Sequence, residues 1–236
     1  MKILVTAGNT QTPIDQVRCI TNIFTGRTGG AIAAEGARRG HEVMLLTSHP
    51  EIVGHLDGLK SVAYRTFDDL ERLMAAEISG GAYDAVIHVA AVSDYRLEGT
   101  YALAAGARFD AATARWEGSP TLVDTSGGKV TSHHKELWLR LTPTPKLADR
   151  IRRDWSFRGV LVKFKLEVGI EEAALQKIAA GSRKQSDADF IVANTLEGMH
   201  EWATIGDRSD QFVRVPRPTL AAEILGRVEE TAGLPL

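Results

Sequence analysis

Apolar positions in the first part of the chain fall into short unbroken runs, separated by stretches in which they recur every three or four residues. Ile3-Leu4-Val5-Thr6-Ala7 is a β-branched run ended by Gly8, the pattern of a strand buried on both faces of a parallel sheet. From Gly29 to Arg39, Ile32, Ala33, Gly36 and Ala37 share one helical face, small enough for close packing on a sheet, and Gly40 supplies a helix stop. Glu42–Thr47 reads as the next strand. Phe67–Ile78 reads as an amphipathic helix with Leu70, Leu73 and Met74 inward, and Ala85–Ala91 as another buried strand. After Asp94 the pattern lapses. Residues 95–128 show no sustained period of 2 or 3.6, and the stretch is too long for a plain loop, so it predicts a hairpin excursion, a lid or a subunit contact. Strands resume at Leu137–Leu141, Val160–Phe164 and Phe190–Ala193, and helices at Glu171–Arg183 and Thr219–Glu230.

Strands alternating with helices at this pitch predict an α/β, Rossmann-like, doubly wound and mostly parallel sheet. We read residues 1–236 as one domain, with 95–128 as its insertion.

Composition narrows the partners. The 236 residues are 44% hydrophobic and 25% charged, an ordinary globular balance with ample chain for a core. With 28 Lys+Arg against 30 Asp+Glu, the formal charge of -2 provides no basic field, so nucleic acid is not an expected partner. Cys19 stands alone, which excludes an intramolecular disulfide and a cysteine zinc framework and points to a reducing, cytoplasmic setting. The run at Ile3–Ala7 is too short for a signal peptide or a membrane span, so no membrane association is expected. His133 and His134 are adjacent rather than four apart, which gives zinc little support, and no protein-held metal is expected.

In doubly wound sheets ligands bind beyond the carboxyl ends of the strands, at the switch point. This selects the segments after Ala7, Ala91, Val162 and Ala193. The first leads through Gly8 to Gly26-Arg27-Thr28-Gly29-Gly30, which opens a helix and reads either as a phosphate seat or as a structural turn. The Walker sequence occurs nowhere, and the turn is not GxGxxG, since 17 residues separate Gly8 from Gly26. No tyrosine has a lysine four residues on, so an ordinary nicotinamide enzyme is disfavoured.

Five short segments then occur in order: Ile14-Asp15-Gln16-Val17-Arg18; Ile20-Thr21-Asn22 with Gly26-Arg27-x-Gly29; Ala90-Ala91-Val92-Ser93-Asp94-Tyr95; Phe164-Lys165-Leu166-Glu167; and Ile191-Val192-Ala193-Asn194. Together they resemble the phosphopantothenoylcysteine synthetase (phosphopantothenate–cysteine ligase) family, from Met1 to about Asn194. Many bacterial members are fused behind a flavin-dependent decarboxylase. At this length the resemblance implies the synthetase unit alone, with no flavin. It further implies a two-step ligase of coenzyme A biosynthesis. The carboxylate of 4′-phosphopantothenate attacks the α-phosphate of CTP or ATP, and cysteine then displaces the nucleoside monophosphate.

The resemblance also carries roles. Lys129 matches the family lysine that meets charge on the α-phosphate, and Asn22 the asparagine tied to the acyl-nucleotide; Arg18 is a further catalytic candidate, with a phosphate or carboxylate contact or a pairing with Asp15 as its readings. Gly8, Thr25, Gly26, Arg27, Gly29, Phe164 and Asn194 fall where the family binds nucleotide, and Asn22, Ala90, Ala91 and Asp94 where it binds phosphopantothenate. Magnesium is expected to arrive on the triphosphate, and a homodimer is implied. Two departures stand out: Phe24-Thr25-Gly26 replaces Ser-Ser-Gly, and Lys129-Val130-Thr131-Ser132 replaces Lys-x-Lys-Lys. They keep open a non-catalytic nucleotide-binding homologue, and beside it stands a Rossmann-like oxidoreductase with a divergent cofactor loop.

Overall fold

In the computed structural model, which describes residues 1–117 and 121–233, the chain divides into two compact units. The first comprises Met1–Thr10, Ile23–Val92 and Lys146–Leu236, and the second Gln11–Asn22 and Ser93–Pro145. In chain order the elements are β1 (Lys2–Ala7), β2 (Gln11–Pro13), β3 (Cys19–Thr21), α1 (Arg27–Arg38), β4 (Glu42–Thr47), β5 (Leu59–Ala63), α2 (Phe67–Gly80) and β6 (Ala85–His88). Then follow β7 (Tyr95–Leu103), β8 (Arg108–Asp110), β9 (Arg115–Glu117), β10 (Leu122–Asp124), β11 (Trp138–Pro143) and α3 (Leu147–Arg153). The last are β12 (Val160–Glu167), α4 (Glu172–Gln185), β13 (Phe190–Thr195), β14 (Trp202–Gly206), β15 (Phe212–Pro216) and α5 (Leu220–Thr231).

The first unit is built on an eight-stranded sheet in the order β15-β14-β13-β12-β6-β1-β4-β5. From β5 through β13 every pairing is parallel, and β14 and β15 add antiparallel at one edge. Because successive side chains point to opposite faces, β1 sends Ile3, Val5 and Ala7 to one side and Leu4 and Thr6 to the other. The first face is covered by α1 and α5 through Ile32, Ala33, Ile224, Leu225 and Val228. On the other, Leu70 and Met74 of α2, Ile151 of α3 and Trp155 just beyond it pack against Leu4, Leu46, Val86 and Leu161. Leu70 and Met74 are fully buried, and each contributes about 2 kcal/mol by leaving water. Helices on both faces of a mostly parallel sheet match the doubly wound, Rossmann-like expectation. α2 is also fixed at its start by a capping box, in which Thr66 and Asp69 bond each other's backbone amides.

Among the described residues, the regular elements of the second unit are all strands. β2 pairs with β3, β8 with β9, and β10-β7-β11 form a three-stranded antiparallel sheet. Phe109, Trp116 and Trp138 pack together with ring centroids 5.2, 5.0 and 4.9 Å apart. The excursion expected over 95–128 lies here, except that 118–120 fall outside the described residues; the unit runs on to Pro145 and takes in Gln11–Asn22. One strand is shorter than the sequence reading has it. β6 stops at His88 instead of Ala91, because Ala90 N turns to Thr6 Oγ1 and Ala91 N to Gly8 O.

Candidate active site

At the carboxyl edge of the first unit, β1 lies between β4, which follows it through α1, and β6, which comes later and on the other side. This reversal is the switch point where open α/β sheets bind ligands. Three glycines shape it. Gly26 is left-handed (φ 84), and a Cβ there would lie 2.3 Å from Gly8 N. A Cβ on Gly29 would lie 2.6 Å from Ala7 Cβ, and one on Gly8 (φ 90) would lie 2.1 Å from Ser48 Oγ. The start of α1 therefore rests on the end of β1, main chain against main chain, which only glycine permits.

α1 begins with no side-chain cap and no acidic residue in its first turn. Its first amides and the positive end of its dipole are thus presented at the switch point. Thr25 and Arg27 flank Gly26 and are exposed. Phe164 shares the α1 face of the sheet with Val162, and buried Asn194 lies two positions beyond Val192 on that face, with Phe164 and Val192 in register. The structure therefore brings the nucleotide candidates to one edge and one face.

A group that the sequence reading missed stands beside them. Arg217 donates to Thr28 Oγ1 in the first turn of α1. Half-buried Arg217 enters none of the ion pairs among the described residues, and burial pushes its pKa down. A guanidinium without a carboxylate at the positive end of a helix favours an anion there.

Across the opposite face runs a buried polar row. Thr6, His88 and Lys163 are register neighbours on β1, β6 and β12. Thr6 Oγ1 accepts from Ala90 N at 3.2 Å, which ties the Ala90-Ala91 segment to the sheet. Burial, and then the Lys163 charge, lower the His88 pKa from 6.5 to about 4. Lys163 Nζ donates to Ser182 O at 3.0 Å and lies 3.9 Å from Asp149; burial lowers its pKa to about 8. Ala91 is bound on both sides, its amide to Gly8 O at 2.8 Å and its carbonyl to Thr10 N at 3.2 Å.

The second unit holds the remaining candidates: Arg18, Asn22, Asp94 and Lys129. Arg18 donates from Nε to Asp15 Oδ2 at 3.0 Å and from Nη2 to Val130 O at 2.6 Å. Lys129 is exposed in a bend beside Val130. Asn22 is half-buried just past β3, and exposed Asp94 accepts through its carbonyl from Thr144 N at 2.9 Å. Arg18 and the Lys129 segment are thus joined directly. Among the described residues no group of three or more His, Cys, Asp or Glu is placed to hold a metal ion, and no helix is long and apolar enough to cross a membrane. A cavity of about 390 Å³ opens at the amino edge of the sheet, lined by Lys2, Glu42, Lys60 and Tyr83 among others, and contains none of the candidates.

Residues 1–103 match the DNA/pantothenate metabolism flavoprotein C-terminal domain. The Coenzyme A biosynthesis bifunctional protein CoaBC of Thermococcus kodakarensis is 30% identical over 235 residues, covering 97% of this chain and 51% of that protein. The chain carries this flavoprotein C-terminal domain over residues 1–103. It spans about half the length of that curated relative. The DNA/pantothenate metabolism flavoprotein from Streptococcus pneumoniae superposes with a TM-score of 0.80 at 27% identity, covering 98% of this chain and 99% of the other. A Cab2 variant in complex with phosphopantothenate-cysteine shares the fold, with a TM-score of 0.67 at 16% identity over 98% of this chain and 87% of that one. Lys129, Phe164 and Asn194 lie beyond the stretch matched by the family model.

Proposed function

We propose that this chain is a phosphopantothenate–cysteine ligase, joining 4′-phosphopantothenate to cysteine through an acyl-nucleotide made from CTP or ATP. The observation that carries this reading is the uncapped, acid-free start of α1 at the switch point, with Gly8, Gly26 and Gly29 in main-chain contact and Phe164 and Asn194 on the same sheet face. The names of the relatives, and the phosphopantothenate-cysteine held by a protein of this fold, support the substrate class.

In this reading the α1 amides and Arg217 take the triphosphate, while Phe164 and Asn194 take the nucleoside. Ala90, Ala91 and Asp94 hold phosphopantothenate. Its carboxylate oxygen bonds the α-phosphorus as pyrophosphate leaves, and Lys129 meets the charge that grows there. Asn22 orients the acyl carbonyl; the cysteine amine then bonds the acyl carbon, and the nucleoside monophosphate leaves. Magnesium, brought by the nucleotide, supplies neutralisation of the triphosphate oxygens. We assign the protein to the cytoplasm as a homodimer acting on these small molecules.

The test is pyrophosphate release by the purified protein with magnesium and 4′-phosphopantothenate, with CTP and ATP tried separately, with and without cysteine. Release with one nucleotide, and ligated product only with cysteine, is expected. Silence with both nucleotides in folded protein would refute the ligase and favour a binding-only homologue.

A further inference from the structure

Asp15 sits at the centre of a clip that spans more than a hundred positions of sequence. Its Oδ1 accepts from Val17 N at 2.9 Å and Arg18 N at 2.8 Å. Its Oδ2 accepts from the Arg18 guanidinium and, at 3.0 Å, from Val130 N. Arg18 then reaches over to Val130 O at 2.6 Å, and Gln16 N donates to Gly128 O at 3.1 Å. The residues on both sides of Lys129 are therefore held by 15–18, while the lysine side chain is exposed. Val130 anchors the segment further, being 3% exposed.

We propose that Asp15 is a positioning residue for Lys129, fixing the main chain on which the lysine is presented to its anion. The inference rests on the ligase reading of Lys129 for its chemical purpose, but the clip itself does not. The Asp15 side chain has no exposed surface, yet its cover is its own turn and 128–130 rather than the core. Arg18, before the backbone amides, holds the Asp15 carboxyl far below the ordinary carboxylate range, so the clip is charged at any working pH. The carboxylate is also the required group. Both of its oxygens accept from N–H groups, so an asparagine in either orientation would set its own NH2 against a donor. Asp15→Asn is therefore expected to release the segment even though it preserves shape.

Two readouts test this. The first needs no activity: hydrogen exchange at Val130 N–H, and tryptic cleavage of the Lys129–Val130 bond in the native protein. Both are expected to accelerate about tenfold in Asp15→Asn, the size of effect that follows from losing a buried charge-assisted bond. The second is kinetic. Asp15→Asn is expected to lower kcat for pyrophosphate release about tenfold with nucleotide KM within about twofold, and to cost nothing further in a Lys129→Gln background, as required of two residues acting through one contact. Asp15→Glu, which keeps the charge but displaces it by one methylene, is expected to move both readouts in the same direction by less, and serves if Asp15→Asn does not fold. Unchanged exchange and cleavage would overturn the clip, and losses that multiply across the two sites would overturn the positioning role. Full turnover in Lys129→Gln would instead overturn the ligase role of Lys129, whatever the exchange data show.

Discussion

Thr6 Oγ1 lies 2.9 Å from Nδ1 of His88 and also accepts from Ala90 N at 3.2 Å, so one buried hydroxyl ties the ring at the end of β6 and the turn after it to β1. Burial keeps the His88 ring neutral, and the charge of buried Lys163 on the next strand reinforces that state. The unfolded chain binds a proton on this residue below its ordinary value of 6.5, and the folded chain only near about 4. The stability gained from keeping His88 neutral is thus complete above pH 6.5 and is lost as the pH falls through that window. Denaturant unfolding at pH 7.5 and at pH 4.5 is expected to show a stability difference about 2 kcal/mol smaller in His88→Gln than in the parent. Equal differences in the two proteins would contradict the assignment.

Gly26→Ala places a Cβ at 2.3 Å from Gly8 N in a left-handed backbone. Strain and overpacking together are expected to cost about 3 kcal/mol, seen as a lower Tm, with nucleotide binding lost in whatever remains folded.

Arg217→Gln keeps a donor for Thr28 Oγ1 and removes the charge. It is expected to weaken triphosphate binding about tenfold, and monophosphate binding less, with Tm nearly unchanged. Calorimetric titration with the two nucleotides checks this; an equal loss for both would place Arg217 away from the phosphates.

Lys129→Ala is expected to reduce pyrophosphate release by about a hundredfold, the usual cost of removing a group aimed at developing charge. Asn22→Asp should still release pyrophosphate yet fail to deliver the acyl group to cysteine. Quench-flow detection of the acyl-nucleotide separates the two: absent in the first variant, accumulating in the second.

Much of the first unit was legible because parallel strands buried on both faces leave unbroken apolar runs, as β1, β4 and β13 do. The edges were not. Leu59–Ala63 is half-exposed with polar residues interspersed, and in β15 Val213 is 48% exposed, so neither presents a continuous run. The second unit was illegible for a different reason. It is assembled from two distant segments through bonds such as Gln16 N to Gly128 O, which impose no period on either. Within the site, Gly8, Gly26 and Gly29 were readable since a close main-chain approach demands glycine at those positions. Arg217, 189 positions from Thr28 and set between Pro216 and Pro218, carries no local mark of its placement. His88 and Lys163 did leave a signal, an ionisable residue at the end of the apolar Ala85–Ile87 run and one directly after the apolar Val160–Val162 run, which a search for buried charge would have recovered.

The main-chain seat formed by Gly8 and Gly26 has a consequence for protein engineering. Under the proposed ligase function, a seat made of backbone has no side chain to retune, so it would treat the phosphates of every nucleotide alike. Discrimination between a pyrimidine and a purine then falls to the side chains on β12 and β13, Phe164 and Asn194 among them. Libraries aimed at switching the proposed nucleotide belong at those strand ends, where side chains can be changed without disturbing the anchor.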